Sequence, residues 1–294
     1  MASHPMQEKL TIGMAQLNSK DSPVENLEAA LNSISELADR GADLVVLPEH
    51  ADFIGPDESK RELAEPLEHS PYVEGIRARA TELKCYVHLG SFLERDGERI
   101  YNCALVIGPE GEVLARYRKL HLFDLEIPGG KKYLESATIS PGHETAGFSI
   151  GQFNVGLATC YDLRFPELFR RLALNGADVI LLPAAFTMQT GRDHWEVLLR
   201  ARAIENLCWV VGVGQWGEAP PQHLCYGRSM VARSMRSISR SAAFQKVNSV
   251  RSAIAVMAKR AKSSRSRSIS SFISRTMHAS GVSPVSTWPP GRSQ

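Results

Sequence analysis

The chain has 294 residues, 43% hydrophobic and 22% charged, with a formal net charge of +2. This is the make-up of a globular protein long enough for one large α/β domain or two ordinary ones, and it argues against a disordered or fibrous chain. No basic stretch leads into an apolar run at the start, and no apolar run approaches the roughly 18 residues that span a bilayer, so neither a secretory signal nor membrane association is expected and the chain reads as cytoplasmic.

LTIGMAQL (10–17) predicts a half-buried strand. SPVENLEAALNSISELADRG then predicts a helix, with Ser22 as N-cap, Pro23 at the first helical position and Glu25 closing a capping box. Leu27, Leu31, Ile34 and Leu37 recur at helical spacing, and Gly41 stands where the helix would stop. ADLVVLPE (42–49) reads as a buried strand ending at a proline. A helix over 72–84 precedes strands in CYVHLGSFLE and IYNCALVIG, and a turn at Pro109–Gly111 leads into EVLARYRKLHLF (112–123). The grammar then repeats: FNVGLATC is a strand, PELFRRLALNG a helix, ADVILLPAAF a strand, DHWEVLLRARAIENL a helix and CWVVGVG a strand. In the last helix Val197, Ala201, Ile204 and Cys208 share a face, and Glu196 pairs with Arg200 at i,i+4. GADLVVLPEH (41–50) echoes GADVILLPAA (176–185), so one helix–strand unit is used twice. Alternating helices and apolar strands predict an α/β fold with helices on the sheet faces.

The charge is unevenly spread. Residues 232–294 hold 12 Lys and Arg, no Asp or Glu, and 17 of the 29 serines. Residues 1–231 keep 22 of the 34 basic side chains against all 32 acidic ones, a net charge of −10. Two domains of sequence are therefore expected, 1–231 and a basic, Ser/Arg-rich tail over 232–294.

Five cysteines, at 85, 103, 160, 208 and 225, form no C-x-x-C pair, so neither a disulfide framework nor a structural zinc site is expected. Buried strands that end abruptly in charge mark where α/β proteins place their sites, and three such ends occur. Glu49 follows LVVLP; its equivalent in the internal echo is Ala184, so the scaffold itself does not require a carboxylate there. In ARYRKLHLFD, strand alternation puts Tyr117, Lys119 and His121 on one face, opposite Arg118 and Leu120. Cys160 ends FNVGLATC and meets a polar cluster and a helix start at Pro166. A strand-end cysteine is often only a core thiol; this setting instead favours the thiolate. A Cys, a Lys and a Glu suffice for acyl transfer: Glu takes the thiol proton and later activates water, while Lys and the backbone N–H after the cysteine hold the oxyanion. No nucleotide-binding glycine motif is present.

Residues 9–231 resemble the nitrilase superfamily of carbon–nitrogen hydrolases through VVLPE, YRKLHLFD, CYDLRFPEL and TGRDHWEVLLRARAIEN. The cysteine context is most similar to the omega-amidase and deaminated-glutathione amidase branch. The resemblance implies a four-layer α-β-β-α sandwich and a triad of Glu49, Lys119 and Cys160. It implies hydrolysis of the amide bond of a small molecule through a thioester, releasing ammonia or an amine, in a homo-oligomer without cofactor or metal. It carries a supporting role to Glu135, with Glu126 as second candidate, and substrate contacts to Phe186 and Tyr161. Asp162, Arg164 and Glu167 are expected to form an ion-pair scaffold around the cysteine. A nitrile or carbamoyl amide is the alternative substrate, and a non-catalytic relative acting through its basic tail the alternative function. After YGRSMV the family pattern stops, so its last strands are expected to be missing or replaced. The tail is either a natural extension, in which case nucleic acid is a partner, or a frame-shifted reading of the missing segment. Arg233-Ser234-Met235-Arg236 can be encoded so that the next frame gives Asp-Pro-Cys and the start of a glycine codon, the turn the family has there.

Overall fold

The computed structural model describes residues 9–126, 132–221, 223–234, 244–246 and 252–258. Most of the predicted tail, and with it the choice between a natural extension and a frame-shifted reading, lies outside the described residues.

The strands are β1 (Lys9–Ala15), β2 (Leu44–Val46), β3 (Tyr86–His88), β4 (Phe92–Asp96), β5 (Arg99–Ile107), β6 (Val113–Arg118), β7 (Asp124–Glu126), β8 (Lys132–Leu134), β9 (Gly147–Ile150), β10 (Phe153–Leu157), β11 (Val179–Ala184), β12 (Trp209–Gly214), β13 (Trp216–Ala219), β14 (His223–Tyr226), β15 (Met230–Arg233), β16 (Phe244–Lys246) and β17 (Ser252–Ala258). The main helices are α1 (Pro23–Asp39), α2 (Asp57–Leu63), α3 (Pro71–Leu83), α4 (Pro166–Leu174) and α5 (Glu196–Asn206). One sheet runs β16-β17-β1-β2-β3-β5-β4 with β6 on β5, and the other runs β15-β12-β11-β10-β9. Among the described residues no helix is long and apolar enough to cross a membrane.

Strand alternation builds the layers. On β1, Leu10, Ile12 and Met14 face the second sheet, where they meet Val155, Leu157, Val179 and Leu181 in one buried cluster. Ala15, Val45 and Leu47 face the other way, against Ile34 and Leu37 of α1 and Val73 and Ile76 of α3. Ile180 and Leu182 of β11 turn outward onto Phe169 and Leu172 of α4 and Leu199 and Ala203 of α5. The order is helices, sheet, sheet, helices: the expected four-layer sandwich.

Three details differ from the sequence reading. Ser22 makes no side-chain cap; the first turn of α1 is held instead by buried Asn26, whose carboxamide bonds both backbone groups of Lys20 and the carbonyl of Asp52. On α5 the predicted face divides: Val197 is 66% and Ile204 56% exposed because Leu199 and Ala203 form the core face, whereas Cys208, just past the helix, is buried. At the edge of the first sheet, tail residues 252–258 pair antiparallel along all of β1, from Lys9 opposite Ala258 to Ala15 opposite Ser252. The β1 side of the sheet is therefore paired rather than open.

Candidate active site

The four principal side chains arrive from four separate segments. Glu49 lies just beyond β2, Lys119 just beyond β6, Glu135 just beyond β8 and Cys160 just beyond β10. Glycine is needed beside the first: a Cβ on Gly90, whose φ is +75°, would sit 1.9 Å from the carbonyl oxygen of Pro48. Cys160 itself has φ +49°, a left-handed geometry disfavoured for a non-glycine residue and therefore held by its surroundings. It opens a short 3-10 turn, Cys160–Arg164, in which the Asp162 carboxylate accepts the Thr159 N–H at 2.8 Å.

Glu49 and Lys119 are both buried, and Lys119 Nζ lies 3.0 Å from Glu49 Oε1 and 2.8 Å from Glu135 Oε2. Glu49 Oε2 accepts the Ala185 N–H at 2.8 Å, and the Cys160 thiol lies near enough to the same carboxylate for each group to shift the other's pKa. Glu135 also accepts the Phe123 N–H at 2.6 Å. Burial alone would raise the Glu49 pKa, but the Lys119 ammonium, His50 and the Cys160 thiol together hold it below the usual carboxylate range. Burial and the Glu49 charge push the Cys160 thiol well above its ordinary value, against the pull of Lys119. Burial disfavours the Lys119 charge, yet Glu135 and Glu49 raise its pKa well above normal. The resting site is thus thiol, carboxylate and ammonium. The thiolate expected from the sequence is not the resting form, because burial and the neighbouring Glu49 charge both keep the proton on sulfur.

Glu126 is not part of this group: it pairs with Lys132 at 3.6 Å and is largely exposed. The Asp162–Arg164–Glu167 scaffold also divides. Asp162 is fully buried and bonds Tyr117 Oη at 2.6 Å and His121 Nδ1 at 2.6 Å. Arg164 instead lies over the rings of Tyr161 and Phe186 and contacts His194, while Glu167 is exposed.

These groups line a cavity of about 260 Å³, to which Phe186 and Tyr161 contribute, together with the cations Lys60, Lys132 and Arg164. The sequence reading missed Asn102, whose Nδ2 donates to Glu49 Oε1 at 2.9 Å and to Glu135 Oε1 at 3.2 Å. Its signal was a lone amide inside the apolar run of IYNCALVIG. Glu49, His50 and Glu135 bring potential metal-ligand atoms within 4.8 Å of one another. Lys119 Nζ already stands against two of those carboxylates, so an ammonium fills the cationic position of the cluster.

The carbon-nitrogen hydrolase family model matches residues 11–246, running past the point where the quoted motifs end. The chain is 40% identical over 221 residues to a deaminated glutathione amidase of Synechocystis, covering 74% of this chain and 81% of the relative. It is 40% identical over 237 residues to the deaminated glutathione amidase of Bos taurus, covering 78% and 72%. The crystal structure of the Caenorhabditis elegans NitFhit protein superposes with a TM-score of 0.76 at 32% identity, over 94% of this chain and 65% of that longer one.

Proposed function

The chain belongs to the carbon–nitrogen hydrolase family and is an amidase-like enzyme that cleaves an amide C–N bond through a cysteine nucleophile, and we propose that Cys160 is that cysteine, Glu49 its general base and Lys119 the cation that stabilises the oxyanion. The observation that carries the assignment is the shared carboxylate. Glu49 meets Lys119 at 3.0 Å and lines the same cavity as Cys160, with the thiol held up and the carboxyl held down.

In that resting state moving the proton from sulfur to Glu49 is uphill, so it accompanies attack. The thiol proton passes to Glu49 as sulfur bonds to the amide carbonyl carbon. The oxygen, now negative, lies against Lys119 Nζ and the Tyr161 N–H. Glu49 returns the proton to the leaving nitrogen, the C–N bond breaks, and ammonia or an amine departs from a thioester. Water then gives a proton to Glu49 and its oxygen attacks the thioester. As the C–S bond breaks, Glu49 protonates the departing sulfur, leaving a carboxylic acid and free Cys160. Glu135 keeps Lys119 charged and in place.

For the substrate we infer a mono-amide carrying carboxylate. Lys60, Lys132 and Arg164 make the lining cationic, and Arg164 is the anchor among them because it is braced over Tyr161 and Phe186. The substrate class in the relatives' name, deaminated glutathione, fits such a pocket. The enzyme acts as a homo-oligomer, a reading supported by the exposed apolar stripe of Val197 and Ile204 on α5. Five free thiols suit a reducing compartment, and the cytoplasm is the location proposed. The hydrolase unit is proposed to centre on 1–231, with residues 252–258 of the basic tail contributing a strand to its first sheet. The test is ammonia release from a panel of mono-amides with and without a second carboxylate, beside nitriles. Release from carboxylate-bearing amides by the wild type and not by Cys160→Ala is expected; equal release by both proteins, or release from nitriles alone, sinks the assignment.

A further inference from the structure

Asn102 lies within β5, whose neighbouring residues are almost all apolar, and it is 1% exposed. Both hydrogens of its carboxamide nitrogen are spent, one on Glu49 Oε1 at 2.9 Å and one on Glu135 Oε1 at 3.2 Å. Its side-chain oxygen has no hydrogen-bond partner. Its backbone carbonyl accepts the Lys119 N–H at 3.0 Å, so the amide and the lysine are also registered to each other across β5 and the end of β6. With Lys119 Nζ bridging the same two carboxylates, ammonium, carboxylate, amide and carboxylate close a four-membered ring of groups.

We propose that Asn102 is a positioning residue for amide hydrolysis, its two N–H bonds fixing the Glu49 and Glu135 carboxylates so that they share Lys119 and Glu49 stays poised to take the thiol proton. The inference rests on the reading of Glu49 as general base. A buried acceptor left idle is unfavourable, and an apolar side chain of the same size would avoid it, so the donors are what this position supplies. Neutrality matters as well. The groups facing Glu49 are Lys119, His50, Glu135, Cys160 and Cys225. A second fixed cation among them would weaken Glu49 as a base, whereas an amide binds both carboxylates without adding charge. Aspartate would add a third negative charge, and serine would keep only one donor.

Asn102→Leu and Asn102→Ser are compared with the wild type for kcat, KM and the pH dependence of kcat/KM, with urea unfolding as the measure of folding. The leucine variant is expected to lose about ten- to hundredfold in kcat, the scale of one charge-assisted hydrogen bond, with KM changed less than about threefold. Its acid limb of kcat/KM shifts to higher pH, because Glu49 loses a donor to its charged form. The serine variant falls between, and carries the test by itself if the leucine variant does not fold. An acid limb that stays in place in a folded variant, or a kcat equal to wild type, overturns the proposal. A wild type that releases ammonia from no amide overturns this proposal and the general-base reading together; active wild type with unchanged variants overturns the role of Asn102 alone.

Discussion

Tyr117 Oη donates a 2.6 Å hydrogen bond to Asp162 Oδ2, and both side chains are buried. Tyr117 stands two residues before Lys119, and Asp162 two residues after Cys160. The bond therefore ties the strand that delivers the lysine to the turn that delivers the cysteine, one from each sheet. Asp162 also accepts the backbone N–H groups of Thr159 and His121, so a single carboxylate sets the register of the segments that carry Lys119 and Cys160.

Tyr117→Phe is expected to lower stability by about 1–2 kcal/mol, since a buried charged acceptor loses one donor. kcat is expected to fall by about tenfold with KM nearly unchanged, because the lysine and cysteine lose a constraint that binding does not need. Urea unfolding and steady-state kinetics on one preparation check both. A stability loss without any change in kcat would confine the bond to a structural role.

Glu49→Gln separates the proposed nucleophile from its proposed base. The Glu49 charge is one reason the Cys160 thiol is held up, and Lys119 opposes it. Removing that charge leaves Lys119 the nearer influence, so the thiol pKa drops. Alkylation of Cys160 by iodoacetamide at pH 7 is expected to speed up while amide turnover falls by about a thousandfold. Slower alkylation in the variant would show that the carboxylate activates the thiol at rest.

Strand alternation made Tyr117, Lys119 and His121 legible as one face, and the abrupt ends after Leu47-Pro48 and Ala158-Thr159 located Glu49 and Cys160. What the sequence could not supply depends on distances between segments. Glu126 and Glu135 flank the same hairpin of β7 and β8, and only the fold shows which of them reaches Lys119. Thiol or thiolate is decided by burial and by the balance of Glu49 against Lys119, which no local motif encodes. Asn102 was hidden because a polar residue inside a buried strand announces a partner without naming it. Val197 and Ile204 are exposed while Cys208 of the same stripe is buried, since periodicity identifies a face and not what covers it.

Asp52, three residues past Glu49, accepts the backbone N–H groups of Phe53 and Leu93 at 2.7 and 2.8 Å. Burial raises its pKa to about 7, against those hydrogen bonds and Lys60; Tyr72 is the other titratable group beside it. Its folded pKa is thus above its unfolded one, and between about pH 4 and 7 the folded state binds the extra proton. Stability from this group is present below that window and is lost as pH rises through it, by about 1.4 kcal/mol per pH unit at most. Urea midpoints between pH 4.5 and 8 are expected to fall more steeply for the wild type than for Asp52→Asn. Parallel curves would show that Asp52 is already ionised in the folded protein.

Gly90→Ala is expected to cost about 3 kcal/mol and most of the activity. The new Cβ would meet the Pro48 carbonyl at 1.9 Å, with the backbone at a φ of +75° that alanine resists. The carbonyl that must give way belongs to the residue before Glu49, so the carboxylate moves relative to Lys119. Activity per folded molecule, measured well below the denaturation temperature, should drop along with Tm. A folded variant with full kcat would mean that the Glu49 segment relaxes without shifting its carboxylate.

The edge of the first sheet supplies the last test. β1 is seven residues long, carries a single charged side chain, and is paired along its whole length with β17 on one side and over Ile12–Met14 with β2 on the other. Removing β17 would expose a row of backbone N–H and C=O groups that readily pairs with another chain. A chain ended at Ser234 is expected to form higher oligomers on size-exclusion chromatography and to lose about 5 °C or more in Tm, the scale of a lost strand in a domain of this size. Ending it instead at Ala258, with β17 retained, is expected to keep the size and Tm of the full chain. If the shorter chain behaves like the longer one, pairing by residues 252–258 adds nothing to the stability of β1, and the basic tail is dispensable to the fold.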